Sequence, residues 1–479
     1  MKPLLVALLL GLGVSMCSVA AAAADAHAAP SSAPAPDSPD GVDAFVLRQM
    51  EKRHVPGVSV AVVKDGKTLL LKGYGMANVE LAAPATEKTV YQLASVSKTF
   101  TATAVLLLIR DGKLTLDDKI GERLSDLPEA WRNVTVRQLL NHTSGIKGYT
   151  SVKDFDKLAR KDFAQREILD LVAKEPLEFP SGEKWNYSNT GYFLLGMLIE
   201  QASGKPYAEF MAERIFRPLG MEQTRVNDLH AVIADRAQGY QWDGKELRNG
   251  EYVSPSQPFS AGALVSSVAD LVKWDAALAN HVLLDQTTLD EMWTPTRLKE
   301  GEAGYGYGWQ VGKANDRRMA FHGGGIPGFS TQLSRFLDDG LTVIVLTNAD
   351  SGNAERIARG IAGYFVPALA EKPLEPIADT DPHTTTKLRE VVEAAQRGEV
   401  DADRFTPEAN AQLVPRIKAD HARLAGFGKL SGLQLLERRE SDGGLQLVYR
   451  AAFERETLRL MFALDKEGRI QGVGIRPEE

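Results

Sequence analysis

Strand-type and helix-type segments are unevenly distributed along this chain, and that distribution restricts the folds open to it. Between residues 41 and 370, β-branched runs sit at the beginning and the end, and the middle is helical and loop-like. Val58-Ser59-Val60-Ala61-Val62-Val63 reads as a buried strand, Lys64-Asp65-Gly66-Lys67 as a hairpin turn and Thr68 to Lys72 as the returning strand. Strand patterns come back near Gly308 to Val311, Ser330 to Phe336 and Leu341 to Leu346, the last two flanking the turn Asp338-Asp339-Gly340. Helical patterns cover Val42 to Lys52, Ser95 to Asp111 and Ala354 to Val366, and Gly112 marks the end of the second. Strands at both ends with helices between them predict one antiparallel sheet joined through those ends. Helices flank it and form a helical subdomain. That is an α+β fold, not alternating βαβ.

Two composition breaks bound this segment. Residues 29–40 (APSSAPAPDSPD) form a Pro/Ala-rich linker, and residues 371–385, with Pro373, Pro376 and Pro382, form a second one. A single core rarely grows past about 250–300 residues, so a further domain is expected, and residues 386–479 supply it. Helical stretches at Thr386–Arg397 and Pro407–Leu424 precede alternating strands there. Leu445, Leu447, Tyr449, Ala451 and Phe453 share one face, as do Leu458, Leu460, Phe462 and Leu464. Turns fall at Asp442-Gly443-Gly444 and Glu467-Gly468. This is a small α+β domain of unassigned role, with helices on one face of an antiparallel sheet.

The N-terminus has the layout of a cleaved signal peptide over residues 1–28. Lys2 is followed by an apolar run from Leu4 to Val19, then by Ala20–Ala24 and the small-residue spacing Ala24-Asp25-Ala26. A periplasmic or secreted protein is expected. A lipid anchor at Cys17 is disfavoured by the bulky Met16 before it, and no other segment is long and apolar enough to span a bilayer. Cys17 is the only cysteine, which excludes a disulfide scaffold, a cysteine zinc site and an iron–sulfur cluster. A formal charge of −7 argues against a nucleic-acid footprint. The eight histidines are scattered and H-E-x-x-H is absent, so neither a metal nor a cofactor is expected. The expected partner is a small-molecule or peptide substrate.

Three short patterns carry chemistry. In Ser95-Val96-Ser97-Lys98, positions i and i+3 share a helix face and place the Lys98 amine beside the Ser95 hydroxyl. Serine is a weak nucleophile that needs a neighbouring base. The same spacing recurs at Ser144/Lys147 and Ser181/Lys184, but only Ser95 opens a long apolar helix. The alternative is an N-cap at Ser95 with a solvated Lys98. Tyr187-Ser188-Asn189 is the only Y-x-N. A tyrosine can shuttle a proton where a nearby ammonium lowers its pKa, and an asparagine can orient a lysine or an amide. The alternative is a packing Tyr187 and a helix-capping Asn189. His322-Gly323-Gly324-Gly325 contains the only H-x-G, and its glycines permit close backbone approach, unless it is a surface turn.

Together and in this order, the three patterns resemble the serine β-lactamase and penicillin-binding-protein superfamily, and class C β-lactamases and related esterases and D-amino-acid peptidases in particular. The likeness extends through Leu139–Ile146, Pro180–Glu200 and Phe259–Leu278. The resemblance implies that Ser95 is the acylated nucleophile, Lys98 its proton acceptor and Tyr187 a partner in proton transfer. It implies that Asn189 positions the lysine and the substrate amide. It also places an oxyanion hole at the backbone N–H groups of Ser95 and Gly325. His322-Gly323-Gly324 stands where the family has Lys-Thr-Gly, so the cation and hydroxyl that help bind carboxylates are missing. An ester, amide or D-peptide hydrolase is therefore expected ahead of a weak β-lactamase or a sensor of cell-wall fragments. His142 is expected to be structural, and Tyr305, Tyr307 and Trp309 to pack rather than to line the cleft.

Overall fold

The computed structural model describes residues 39–479 except 300, 372–373, 442–443 and 478–479. The expected signal peptide, Cys17, most of the first linker and the turn residues Asp442 and Gly443 lie outside the described residues. The chain divides into two compact units, Met1–Ala370 and Glu371–Glu479.

In the first unit seven strands form one antiparallel sheet. They are β1 (Gly57–Lys64), β2 (Lys67–Asn78), β3 (Ala83–Pro84), β4 (Gln310–Ala314), β5 (Arg317–Ile326), β6 (Phe329–Phe336) and β7 (Leu341–Thr347). Their spatial order is β4-β5-β6-β7-β1-β2-β3. The two ends of the segment meet where β1 pairs with β7, Val60 opposite Val345. Five helices matter to the site: α1 (Pro39–Arg53), α2 (Ser97–Arg110), α3 (Asn189–Ser203), α4 (Val268–Ala279) and α5 (Ala354–Phe365).

Both faces of β1 are covered. Val58, Val60 and Val62 pack with Val46 of α1 and with Ile357 and Ile361 of α5. Ala61, one step out of phase, belongs to the opposite core with Ile344 of β7 and Phe100 and Val105 of α2. A strand buried on both sides needs no polar alternation, which is why the valine run is nearly continuous. Asp65 and Gly66 both have positive φ, +49° and +75°, giving the hairpin turn that matches strand twist.

Two local expectations change. The strand near Gly308 to Val311 is β4, shifted to Gln310–Ala314, and it turns at Asn315 and Asp316 (φ +48° and +64°) into β5, a strand the sequence reading lacks. Its three consecutive glycines have poor strand propensity, and pairing on β6 overrides it. The helix expected from Ser95 is a 3-10 turn, Ala94–Val96, followed by α2.

The second unit is a meander of β8 (Leu430–Ser441), β9 (Gly444–Phe453), β10 (Thr457–Leu464) and β11 (Ile470–Pro477), with α6 (Pro382–Gln396), α7 (Pro407–Ala419) and α8 (His421–Gly426). Tyr449, Ala451, Leu458, Leu460 and Phe462 form its core with Leu388 and Val414 from the helices. Helix α6, capped by Asp381, begins at Pro382, four residues before its expected start, and the helix expected over Pro407–Leu424 breaks at Asp420, where ψ is 1°.

The core under α2 rests on Phe100, fully buried and stacked on Trp274 of α4 with centroids 4.2 Å apart. Phe100→Ala is predicted to lower the unfolding free energy by about 3–5 kcal/mol, measured by urea denaturation.

Candidate active site

Ser95 lies in a strained turn. Ala94 has φ +47°, a left-handed conformation that costs a non-glycine residue of order 1–3 kcal/mol and persists only where the surroundings impose it. Leu93 is held on both sides: its N–H donates to Leu264 O at 2.8 Å, and its carbonyl accepts from Thr331 Oγ1 at 2.8 Å. Ser95 does not cap α2; Val96 occupies that position and no side chain makes the cap bond. The capping alternative therefore fails.

Lys98 is fully buried, the opposite of a solvated first-turn lysine. Its Nζ lies 3.2 Å from Ser95 Oγ, 2.8 Å from Asn189 Oδ1 and 2.7 Å from the Ala261 carbonyl. Burial pushes its pKa well below the ordinary lysine value. A neutral amine has two N–H bonds and one lone pair. The Oδ1 and the carbonyl can only accept, so they take both N–H bonds. The lone pair is what remains to face the Ser95 hydroxyl, the arrangement a general base requires.

Asn189 is free for this role because it is not the cap of α3. Ser188 is, its Oγ accepting from Gly191 N–H. The Asn189 amide is oriented by donating from Nδ2 to Thr150 Oγ1 at 3.1 Å. Ala261 is presented by a short helix, Phe259–Gly262, that packs closely on α3: a Cβ on Gly196 would lie 2.1 Å from Ser260 Oγ. No side-chain pattern announces a backbone carbonyl, so Ala261 was not legible in the sequence.

The Tyr187 ring lies beneath the Lys98 amine, 4.9 Å from Nζ to centroid. Desolvation pushes its hydroxyl above the ordinary tyrosine value, and a hydrogen bond with Ser95 opposes this. The expected lowering by an ammonium does not occur, because burial disfavours charge on both groups. Tyr187 is thus a protonated hydroxyl that can relay a proton. His142 is buried, its Nδ1 accepting the Ser188 N–H at 3.1 Å and its ring packed on Tyr187. It makes no hydrogen bond to Ser95 among the described residues.

The Beta-lactamase family model matches residues 42–364. This chain belongs to that family. Penicillin-binding protein 4* of Bacillus subtilis (strain 168) is 34% identical over 321 residues, 64% of this chain and 71% of that protein. The D-amino acid amidase structure from Ochrobactrum anthropi SV3, complexed with L-phenylalanine amide, is 28% identical with a TM-score of 0.59, covering 68% of this chain and 97% of that one. The octameric penicillin-binding protein homologue from Pyrococcus abyssi shares the fold over 92% of this chain and 98% of its own, with a TM-score of 0.64 at 22% identity.

Within this family fold, the departure at His322 takes a definite form. His322 is buried; its Nδ1 lies 2.7 Å from the Gly323 carbonyl and its Nε2 3.0 Å from Tyr305 Oη. A carbonyl can only accept, so Nδ1 carries the proton and Nε2 accepts from Tyr305. Burial, the largest cause, pushes the His322 pKa down to about 3. The imidazole therefore does not replace the missing cation. Tyr305, expected only to pack, fixes this tautomer. Tyr307 bonds Arg137 and Glu291, and Trp309 is fully buried.

Strand β5 pairs with β4 only as far as Phe321, so His322 to Ile326 extend past β4 while still paired to β6. The Ser95 turn fills that side. A Cβ on Gly324 would lie 2.2 Å from Leu93 O and 3.1 Å from Ser95 N, and one on Gly323 3.0 Å from Gln332 Oε1. Gly325 meets nothing and, with Ser95 and Asn189, lines a cleft of about 390 Å³. That is the size of a small-ligand site. Among the described residues no group of three or more His, Cys, Asp or Glu could hold a metal.

Two outcomes are expected. Gly324→Ala displaces β5 from the Ser95 turn and reduces turnover about a hundredfold in a protein whose circular dichroism is unchanged. For His322 the unfolded pKa is near 6.5 and the folded one about 3, so the unfolded chain binds more protons between these values. Its stabilising contribution is complete above pH 6.5 and is lost as pH falls towards 3, with a slope of up to about 1.4 kcal/mol per pH unit. Urea titrations at pH 4 to 7 should show a shallower slope for His322→Gln.

Proposed function

We propose that this protein is an exported serine hydrolase that cleaves ester, amide or D-amino-acid peptide bonds through an acyl-enzyme on Ser95. The observation that carries the proposal is the fully buried Lys98 amine 3.2 Å from Ser95 Oγ, its pKa pushed well below the ordinary lysine value by desolvation. Lys98 takes the hydroxyl proton as Oγ attacks the carbonyl carbon. The oxyanion is stabilised by the Ser95 and Gly325 backbone N–H groups, whose individual loss typically costs about 2.7–4 kcal/mol in other serine hydrolases. Tyr187 relays the proton to the leaving group. Water then cleaves the acyl ester, with its proton returned through the same residues. The N-terminal signal pattern supports export, and likeness to penicillin-binding proteins favours cell-wall peptides among the sources of such bonds. The same likeness supports a second reading, weak β-lactamase or sensor; the uncharged His322 opposes efficient capture of a carboxylate.

The test compares wild type with Ser95→Ala on a short-chain nitrophenyl ester, with intact-protein mass. Turnover and an acyl adduct are expected in wild type. In the folded variant there should be no adduct and a loss of at least about a thousandfold. Retained turnover in Ser95→Ala removes the assignment, and an adduct that persists without turnover establishes the sensor.

A further inference from the structure

The wall of the cleft is mostly apolar. Phe155, Ala159, Val253, Pro258, Ile326 and Pro327 contribute to it. Glu251 is the only acidic or basic side chain among its lining residues. It is exposed, and no described cation pairs with it; the nearby Arg248 is engaged by Asp243 and Glu246. Its backbone is fixed. Glu251 N–H donates to Gln241 Oε1 at 3.2 Å, and the preceding Gly250 N–H donates to Gly239 O at 2.8 Å. Downstream, Gln257 Nε2 donates to the carbonyls of Leu158, Ala159 and Lys161, and Ser254 N–H to Ala159 O. The carboxylate therefore sits on a loop held by backbone hydrogen bonds at both ends, the downstream one at Ala159 of the cleft wall.

Neither of the two basic groups beside the reacting centre, Lys98 and His322, is among the lining residues of the cleft. Burial disfavours the charged form of Lys98, and both nitrogens of His322 are committed in its neutral form. The resulting field attracts cations and repels carboxylates. We propose that Glu251 is a specificity-determining residue, and that the preferred substrates are apolar acyl donors carrying a protonated amine. This rests on the Ser95 acyl-enzyme reading. It reverses the charge preference that a lysine at position 322 would give.

The experiment uses three 4-nitroanilides on one acyl skeleton: phenylalanine with a free amine, its N-acetyl form and its N-succinyl form, in both enantiomers. These are cationic or partly so, neutral and anionic. Wild type is expected to rank kcat/KM in that order at pH 6.5. Glu251→Gln should reduce the amine-to-acetyl ratio roughly twofold to fivefold, the range of an exposed charge interaction, and leave the acetyl substrate unchanged. Raising salt should shrink the wild-type ratio in the same direction. An unchanged ratio in Glu251→Gln overturns the proposal. So does failure of the amine-bearing series while a neutral nitrophenyl ester still acylates Ser95. Absence of any Ser95 adduct instead overturns the acyl-enzyme reading, so the two failures are distinguishable.

Discussion

The site depends on the removal of one lysine from water. Lys98 is fully buried, and an ammonium in that position without full compensation would be strongly disfavoured. The surroundings answer this in two ways: desolvation pulls the lysine pKa well below its ordinary value, and Nζ is given three polar neighbours, Asn189 Oδ1, the Ala261 carbonyl and Ser95 Oγ. Each partner comes from a different part of the chain. Ser95 is on the turn before α2, Asn189 opens α3 and Ala261 sits on a short helix after it. Their convergence requires Gly196 to let Ser260 approach α3 and Thr101 to donate to the Ser260 carbonyl at 2.7 Å. The helical packing is thus what keeps one amine out of water and its pKa depressed.

The sheet supplies the opposite wall. Its central strands are covered on both faces by helices, so β5 can extend past the end of β4 without losing support from β6. The extension carries three glycines because the Ser95 turn lies against it at a distance no Cβ tolerates at Gly324. At its start His322 is clamped between the Gly323 carbonyl and the Tyr305 hydroxyl. The clamp sets the electrostatic character of the cleft. The position holds a neutral ring, and the one charged residue among the cleft's lining is acidic.

Much of this was legible in the sequence. The valine run at 58–63, the Asp65-Gly66 turn and the alternating strands of the second unit depend on side-chain branching, positive φ and period-two burial, which are local properties. The spacing of Ser95 and Lys98 was readable for the same reason. Other parts were not. Strand β5 is poor in strand-forming residues at its functional end, and the Asn315-Asp316 turn before it was the available signal. Ser188 took the cap that Asn189 was a candidate for, and only the helix start decides between adjacent cap-forming residues. Tyr305 is seventeen residues from His322, and nothing at that separation marks the two as partners.

The sequence by itself determined the strand distribution, the turns and the set of polar groups available for chemistry, since these follow from covalent geometry and local pattern. It did not determine the state of those groups. Whether Lys98 is charged, which nitrogen of His322 carries the proton, and whether Tyr187 is lowered or raised in pKa depend on desolvation and on hydrogen bonds. The partners in those bonds lie up to 163 residues apart in the chain. Only the tertiary structure fixes these, because the free energy of a charge depends on everything packed around it and not on its neighbours in sequence.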